Sequence, residues 1–175
     1  AARSIDVEKL RIAGMANELS DGGFEKGNLS EWGDNDKASV NSDAKKTGNY
    51  GLELEQGGYV WSLYLPIKPG AEYHAEAYAK RTSGATTGYF FLRIYWYDAE
   101  KQEITFTQSM KSYSELANWV YVEKDATAPA NAMYARIQLY SSVNSETYVD
   151  DVLFRGKITG ELVVDGTLRT KHIRF

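Results

Sequence analysis

Three stretches of the chain alternate apolar and polar residues with a period of two, which sends successive side chains to opposite faces of an extended strand. Across residues 73–81, Tyr73, Ala75, Ala77 and Ala79 share one face, while His74, Glu76, Tyr78 and Lys80 share the other. Across 90–98, Phe90, Leu92, Ile94 and Trp96 oppose Phe91, Arg93, Tyr95 and Tyr97. Across 133–140, Met133, Ala135, Ile137 and Leu139 oppose Tyr134, Arg136, Gln138 and Tyr140. Each stretch thus has one apolar face for a core and one face that mixes rings with polar groups. Val40, Leu52 and Leu54 mark two more strands, with residues 45–49 as the turn between them. Residues 59–67 are expected to pair with 73–81 through a turn at Pro69 and Gly70, and residues 98–102 form a further turn. Residues 19–32 read as a looped first strand that buries Phe24 and Trp32, and 111–117 as a short helical turn. Many strands, frequent turn signals and one-sided alternation predict an all-β fold, an antiparallel sandwich of jelly-roll type.

The two ends differ in style from this middle. In residues 1–16 the apolar positions Ile5, Val7, Leu10, Ile12 and Met15 fit neither strand nor helix, so this part reads as a connector. The sandwich is assigned to 17–155. In 156–175 the apolar residues Ile158, Leu162, Val164, Leu168 and Ile173 are too sparse to bury a core of their own, and this segment is expected to need a partner. The chain starts without methionine and stops just after an apolar pattern, so it reads as a piece of a longer protein.

A length of 175 residues suits one domain and buries about 70 % of the unfolded surface. No apolar run is long enough to span a bilayer, and no signal peptide is visible. The net charge is −4 with the basic residues scattered, which disfavours nucleic acid and anionic membranes as partners. Thirteen tyrosines and four tryptophans are a heavy load of flat, half-polar side chains, suited both to pleated surfaces and to sugar faces.

The stretch YVDDVLF at 148–154 poses a chemical question. Simple alternation puts Tyr148, Asp150 and Val152 on one side and Val149, Asp151 and Leu153 on the other. A carboxylate set among apolar neighbours must find a cation, a donor or a proton. With no cysteine and two histidines, a soft-ligand site is disfavoured and a hard cation held by oxygens, calcium first, is the natural partner. Backbone N–H groups, Arg155 or Lys157 are the other partners open to Asp150.

The ordered set DGGFE at 21–25, Trp32, NYGLEL at 49–54, PGAEY at 69–73, APANA at 128–132 and YVDDV at 148–152 resembles the β-sandwich carbohydrate-binding modules attached to xylanases and related glycanases. The resemblance covers about residues 17–155. It implies a structural calcium held by Glu25 and Asp150, completed by backbone carbonyls of the 45–49 turn, Lys45 and Asn49 among them. It also implies that Tyr78 stands where related modules place a ring. From the strand faces, Tyr78, Tyr95 and Tyr140 are candidate platforms for a pyranose, with Glu76, Arg93, Arg136 and Gln138 as hydrogen-bonding groups of the same groove.

A second resemblance lies in the tail. ITGELVVDGTLRTKHI, from Ile158 onward, is similar to short segments that recur in bacteriophage tail fibres and tail-tip proteins. These are commonly homotrimers with carbohydrate-binding modules along the shaft, which implies a trimer through the C-terminal segment, a place in the virion tail and a bacterial surface polysaccharide as ligand. A spacer domain without sugar binding and an accessory module of a secreted glycanase are the alternatives. Catalysis is not expected: no GxSxG, HExxH or P-loop occurs. Glycoside hydrolysis needs two carboxyl groups facing each other about 5–9.5 Å apart, whereas Asp150 and Asp151 are expected to diverge. His74 is read as a surface or groove residue.

Overall fold

The alternating stretches become strands. In chain order these are β1 (Trp32–Asn41), β2 (Gly51–Ser62), β3 (Leu65–Pro66), β4 (Glu72–Arg81), β5 (Tyr89–Tyr97), β6 (Glu103–Ser112), β7 (Val120–Thr127), β8 (Tyr134–Ser141) and β9 (Thr147–Gly156), in a computed structural model that describes residues 16–157. A 3-10 turn at Glu115–Ala117 buries Leu116, close to the expected helical turn.

All strand pairs are antiparallel, and neighbours follow the order β6-β5-β8-β2-β9-β4-β7, with β1 on β2 and β3 on β8. The sheet folds over at β2. Leu52, Glu53 and Leu54 pair with β9, whereas Tyr59, Val60 and Trp61 pair with β8. Between them lie Gly57, at φ +79°, and a register shift against β1. A left-handed residue is open to glycine without steric cost, so the strand can leave one layer and enter the other here. The apolar faces of both layers then meet in one core: Ala75, Ala77 and Ala79 from β4, Leu92, Ile94 and Trp96 from β5, and Ile137 and Leu139 from β8 are all fully buried. The result is the all-β, jelly-roll-like sandwich that the alternation predicts.

Four local expectations are corrected. Residues 59–67 do not pair with 73–81: β2 and β3 lie on β8, while β4 lies between β7 and β9, so the Pro69–Gly70 turn carries the chain from one layer to the other. Residues 19–31 form turns rather than a strand, because both Asp21 carboxylate oxygens take backbone N–H groups, from Glu25 at 2.8 Å and Lys26 at 3.2 Å. Phe24 and Trp32 are nonetheless buried and stacked at 5.1 Å. Met133 is 44 % exposed, since β8 begins only at Tyr134.

The fourth correction concerns β9. Asp151 has φ +51°, and the register against β4 shifts between Glu76 and Tyr78. An extra residue of this kind, a β-bulge, reverses which face later residues take. Val149 therefore faces the core before the bulge and Val152 and Phe154 after it, so strict alternation through 148–154 fails. The first turns run along this strand: Glu18 N donates to the Phe154 carbonyl at 2.7 Å and Val152 N to the Gly22 carbonyl at 2.8 Å. The Val152 carbonyl occupies the space that any Cβ at Gly22 would need.

Candidate functional site

The outer side of the β6-β5-β8-β2 layer carries its side chains in rows, because residues opposite each other on antiparallel strands point the same way. Met110, Phe91, Tyr140 and Tyr59 form one row, and Gln108, Arg93, Gln138 and Trp61 the next. Phe106, Tyr95 and Arg136 follow, then Tyr97 and Tyr134. Rings touch within and between the rows: Trp61 lies 4.7 Å from Tyr95, and Tyr95 stacks on Phe106 at 4.8 Å. Phe91 meets Tyr140 at 5.7 Å, and Tyr64 meets Tyr97 at 5.0 Å.

Two arginines are threaded among these rings. The Arg93 guanidinium lies 4.5 Å from the centre of Phe91 and 5.2 Å from that of Tyr140, and it donates to the amide oxygens of Gln108 and Gln138, both at 2.9 Å. Arg136 lies 4.9 Å from Trp61 and 4.8 Å from Tyr64, donates to the Ser62 carbonyl at 2.9 Å, and pairs with Asp34 at 3.1 Å. Side chains clamped in this way lose their rotamer freedom on folding rather than on binding, so less ordering is left for a ligand to impose. Burial pushes the Tyr97 hydroxyl up to about 12, which keeps it protonated and able to donate at neutral pH.

Of the predicted groove, Arg93, Tyr95, Arg136, Gln138 and Tyr140 come together here. Glu76 and Tyr78 do not join them: they lie on β4, on the outer side of the opposite layer, so the single groove is divided. Alternation identifies the two faces of a strand but not the layer the strand will join, and that is why two outward faces read as one. One face of Tyr78 also lies beneath the Lys46 ammonium, 4.0 Å from its ring centre, with Tyr121 beside it at 5.4 Å. Trp61, Phe91 and Phe106 complete the row pattern and went unassigned. Tyr59 and Trp61 do alternate with Val60 and Ser62, a readable signal, whereas Phe106 sits among threonines and a glutamine that mask the period.

On the opposite layer His74 is a buried tie rather than a groove residue. It is 8 % exposed, with Nδ1 2.6 Å from Asp125 and Nε2 2.8 Å from Glu76, and the Tyr121 hydroxyl donates to Glu76 at 2.7 Å. Burial works against a charged imidazole, yet the bonds to Asp125 and Glu76 outweigh it and hold His74 above its ordinary 6.5. Burial likewise raises Glu76, but Tyr121 and His74 bring it below 4.5, and Lys157 and His74 lower Asp125 below 3.8. Linkage then fixes the pH window. The histidine contribution is complete below 6.5 and lost as pH rises through its folded value, while the carboxylate contributions are complete above 4.5 and lost on acidification. The stability difference between the native chain and His74→Gln is therefore expected to be largest between pH 4.5 and 6.5 and to shrink on both sides, as melting curves across pH would show. A difference independent of pH would mean that His74 stays neutral.

Glu25 and Asp150 both grip the loop that joins β1 to β2. Asp150, fully buried, accepts N–H groups of Lys46 at 2.7 Å, Thr47 at 3.0 Å and Asp151 at 2.7 Å. Glu25 accepts from the Asn49 amide at 3.0 Å and from Tyr50 at 3.3 Å. These donors, of Asn49 first, hold Glu25 below its ordinary 4.5, with Lys45 adding its charge, and the carboxylate fills the space a Cβ at Gly48 would take. The loop thus offers N–H groups where carbonyl oxygens are expected, and among the partners open to Asp150 the backbone donors are the ones it meets. A hard cation fits in part. Oxygens of Glu25 and Asp150 are of the right kind, and burial raises the Asp150 carboxyl above 3.8 against the pull of its three N–H donors, a cost that a cation would relieve. Among the described residues, however, no third acid or histidine joins them.

An organised face of rings and arginines on one side of a β-sandwich is the candidate ligand surface of this chain. A family model described as a carbohydrate binding domain matches residues 16–147, most of the chain, and the chain belongs to that family. Its fold is shared with a family 16 carbohydrate-binding module at 21 % identity and a TM-score of 0.63, covering 79 % of this chain and 99 % of that one. A family 22 xylan-binding domain from Paenibacillus barcinonensis matches at 16 % identity and 0.63, over 82 % and 96 %. The enzymatically active domain of tailspike protein 4 from bacteriophage CBA120 matches at 14 % identity and 0.64, over 81 % of this chain but 21 % of that one. No curated protein matches the chain.

Proposed function

We propose that this chain is a non-catalytic carbohydrate-binding module of a phage tail fibre or tail-tip protein, and that it binds bacterial surface polysaccharide through the outer face of the β6-β5-β8-β2 layer. The observation that carries the reading is the run of contacting rings Trp61, Tyr95 and Phe106, flanked by clamped arginines. A pyranose has an apolar face for such a ring and hydroxyls for the donors beside it. The tail placement draws support from the segment at 158–173, which lies outside the described residues, and from the fold shared with a phage tailspike. A homotrimer through 158–175 belongs to the same proposal, and avidity across three weak faces would raise apparent affinity. Sedimentation of the intact chain against one ending at Lys157 checks it, and a monomeric intact chain at micromolar concentration removes the trimer. The shared fold with xylan-binding domains favours the second reading, an accessory module of a secreted glycanase.

Affinity electrophoresis against bacterial surface polysaccharides and xylan tests the face. Trp61→Ala and Tyr95→Ala are each expected to weaken retention about thirtyfold, the loss of a central ring worth about 2 kcal/mol. Tyr78→Ala, on the opposite layer, should bind as the native chain does. Binding lost with Tyr78→Ala but kept with Tyr95→Ala transfers the site to the other layer, and a folded protein that retains no polysaccharide leaves a structural spacer. A preference for xylan alone favours the glycanase reading.

Calcium enters the proposal as a structural ion held by Glu25 and Asp150, remote from the sugar face, with carbonyl oxygens of the 45–49 loop turning in to replace its N–H groups when the ion binds. Melting should then occur at higher temperature in calcium than in chelator, and identical curves on metal-free protein remove the ion.

A further inference from the structure

The charges on the ring-bearing face are not those of the chain as a whole. The sequence has 24 acidic against 20 basic residues, yet the four rows hold two arginines and one acid, Glu103, at the end of the fourth row opposite Tyr97. Lys101 adds a third cation, 4.8 Å from the Tyr64 ring. The other acid nearby, Asp34, is paired with Arg136, and Glu103 stands at the start of β6, at the edge of the face.

Arg93 is the unusual member. It is half-buried at the middle of the face, against the rings of Phe91 and Tyr140, and its hydrogen bonds go to two neutral amide oxygens. Among the described residues it meets no carboxylate, and its second terminal nitrogen, Nη2, has no protein acceptor. Holding a guanidinium partly out of water without a counter-charge is unfavourable, and neutral donors such as glutamine suffice for sugar hydroxyls. A planar fork fixed by two glutamines, with its remaining N–H groups directed away from them, matches the paired oxygens of a carboxylate.

We propose that this face selects polysaccharides whose sugars carry a carboxylate, hexuronates in chemical class, and that Arg93 receives the carboxylate while the flanking rings hold the sugar planes. The inference rests on the reading of this face as the sugar-binding surface. It adds the charge of the ligand and the residue that reads it.

The test compares retention of the intact chain in gels containing polygalacturonate, alginate or hyaluronate, each beside the same polymer with its carboxyl groups reduced to alcohols. At least one acidic polymer should bind about tenfold more tightly than its reduced form, and added salt should erode that difference. Arg93→Gln should lose the tenfold preference, so that acidic and reduced forms are retained equally, and Arg93→Lys should fall between, since it keeps charge but not the fork. If Arg93→Gln does not fold, the acidic and reduced forms compared on the native chain decide the matter alone. Equal retention of the two forms overturns this inference and leaves sugar binding standing. Retention of dextran sulfate or oligothymidylate but of no polyuronate overturns the assignment to a carboxylate sugar. Retention of none of these overturns the inference, while the sugar-binding reading is decided separately by the surface polysaccharides and xylan.

Discussion

Asp150→Ala is expected to destabilise the fold by about 3–5 kcal/mol, measured by urea denaturation with chelator present so that no bound cation contributes. The carboxylate is fully buried and accepts three backbone N–H groups, from Lys46, Thr47 and Asp151. Alanine removes the acceptor but leaves the donors, and an unsatisfied buried donor loses its hydration without recompense. Two of the three donors belong to the loop between β1 and β2, so the damage should spread from β9 into that loop and raise its amide exchange. Asp150→Asn keeps one acceptor oxygen but turns an NH2 group toward a donor, so it should recover only part of the loss. A change below about 1 kcal/mol would mean that water reaches these amides once the carboxylate is gone.

Phe154→Ala should be comparably severe, about 3–5 kcal/mol, through a different cause. Phe154 is fully buried, and its ring stacks on Tyr73 at 5.1 Å with the planes 10° apart. Truncation gives up the transfer energy of the ring and leaves a cavity that β4 and β9, paired on both sides of the bulge, cannot collapse to fill. Phe154→Leu should cost less, because much of the volume is kept. Equal losses for leucine and alanine would show that the stack with Tyr73, rather than filled volume, supplies the stability. Sugar binding, measured where both variants remain folded, should be untouched, since this ring lies on the core side.

Much of this molecule is legible along the chain. Alternation in three stretches separated core residues from outward ones almost without error, because a strand has one geometry and its side chains obey it wherever the strand goes. The need of Asp150 for a partner was likewise plain, since a carboxylate among valines cannot be left bare. Its partners were not, because Lys46 and Thr47 lie more than a hundred positions away and offer backbone groups, which every residue possesses.

The division of the site shows the same boundary. Tyr78 and Tyr95 look alike in sequence, each a tyrosine on the mixed face of a good strand. One ends beneath Lys46 on the β9-β4-β7 layer and the other between Trp61 and Phe106 on the opposite layer. The sequence by itself determined which side chains turn outward, and so the stock of rings and arginines from which a binding face is made. Tertiary structure decided which of them share a face. Strand partners are chosen by long-range packing, the bend at Gly57 assigns the two halves of β2 to different layers, and the bulge at Asp151 reverses β9 midway, none of which a local period of two can register.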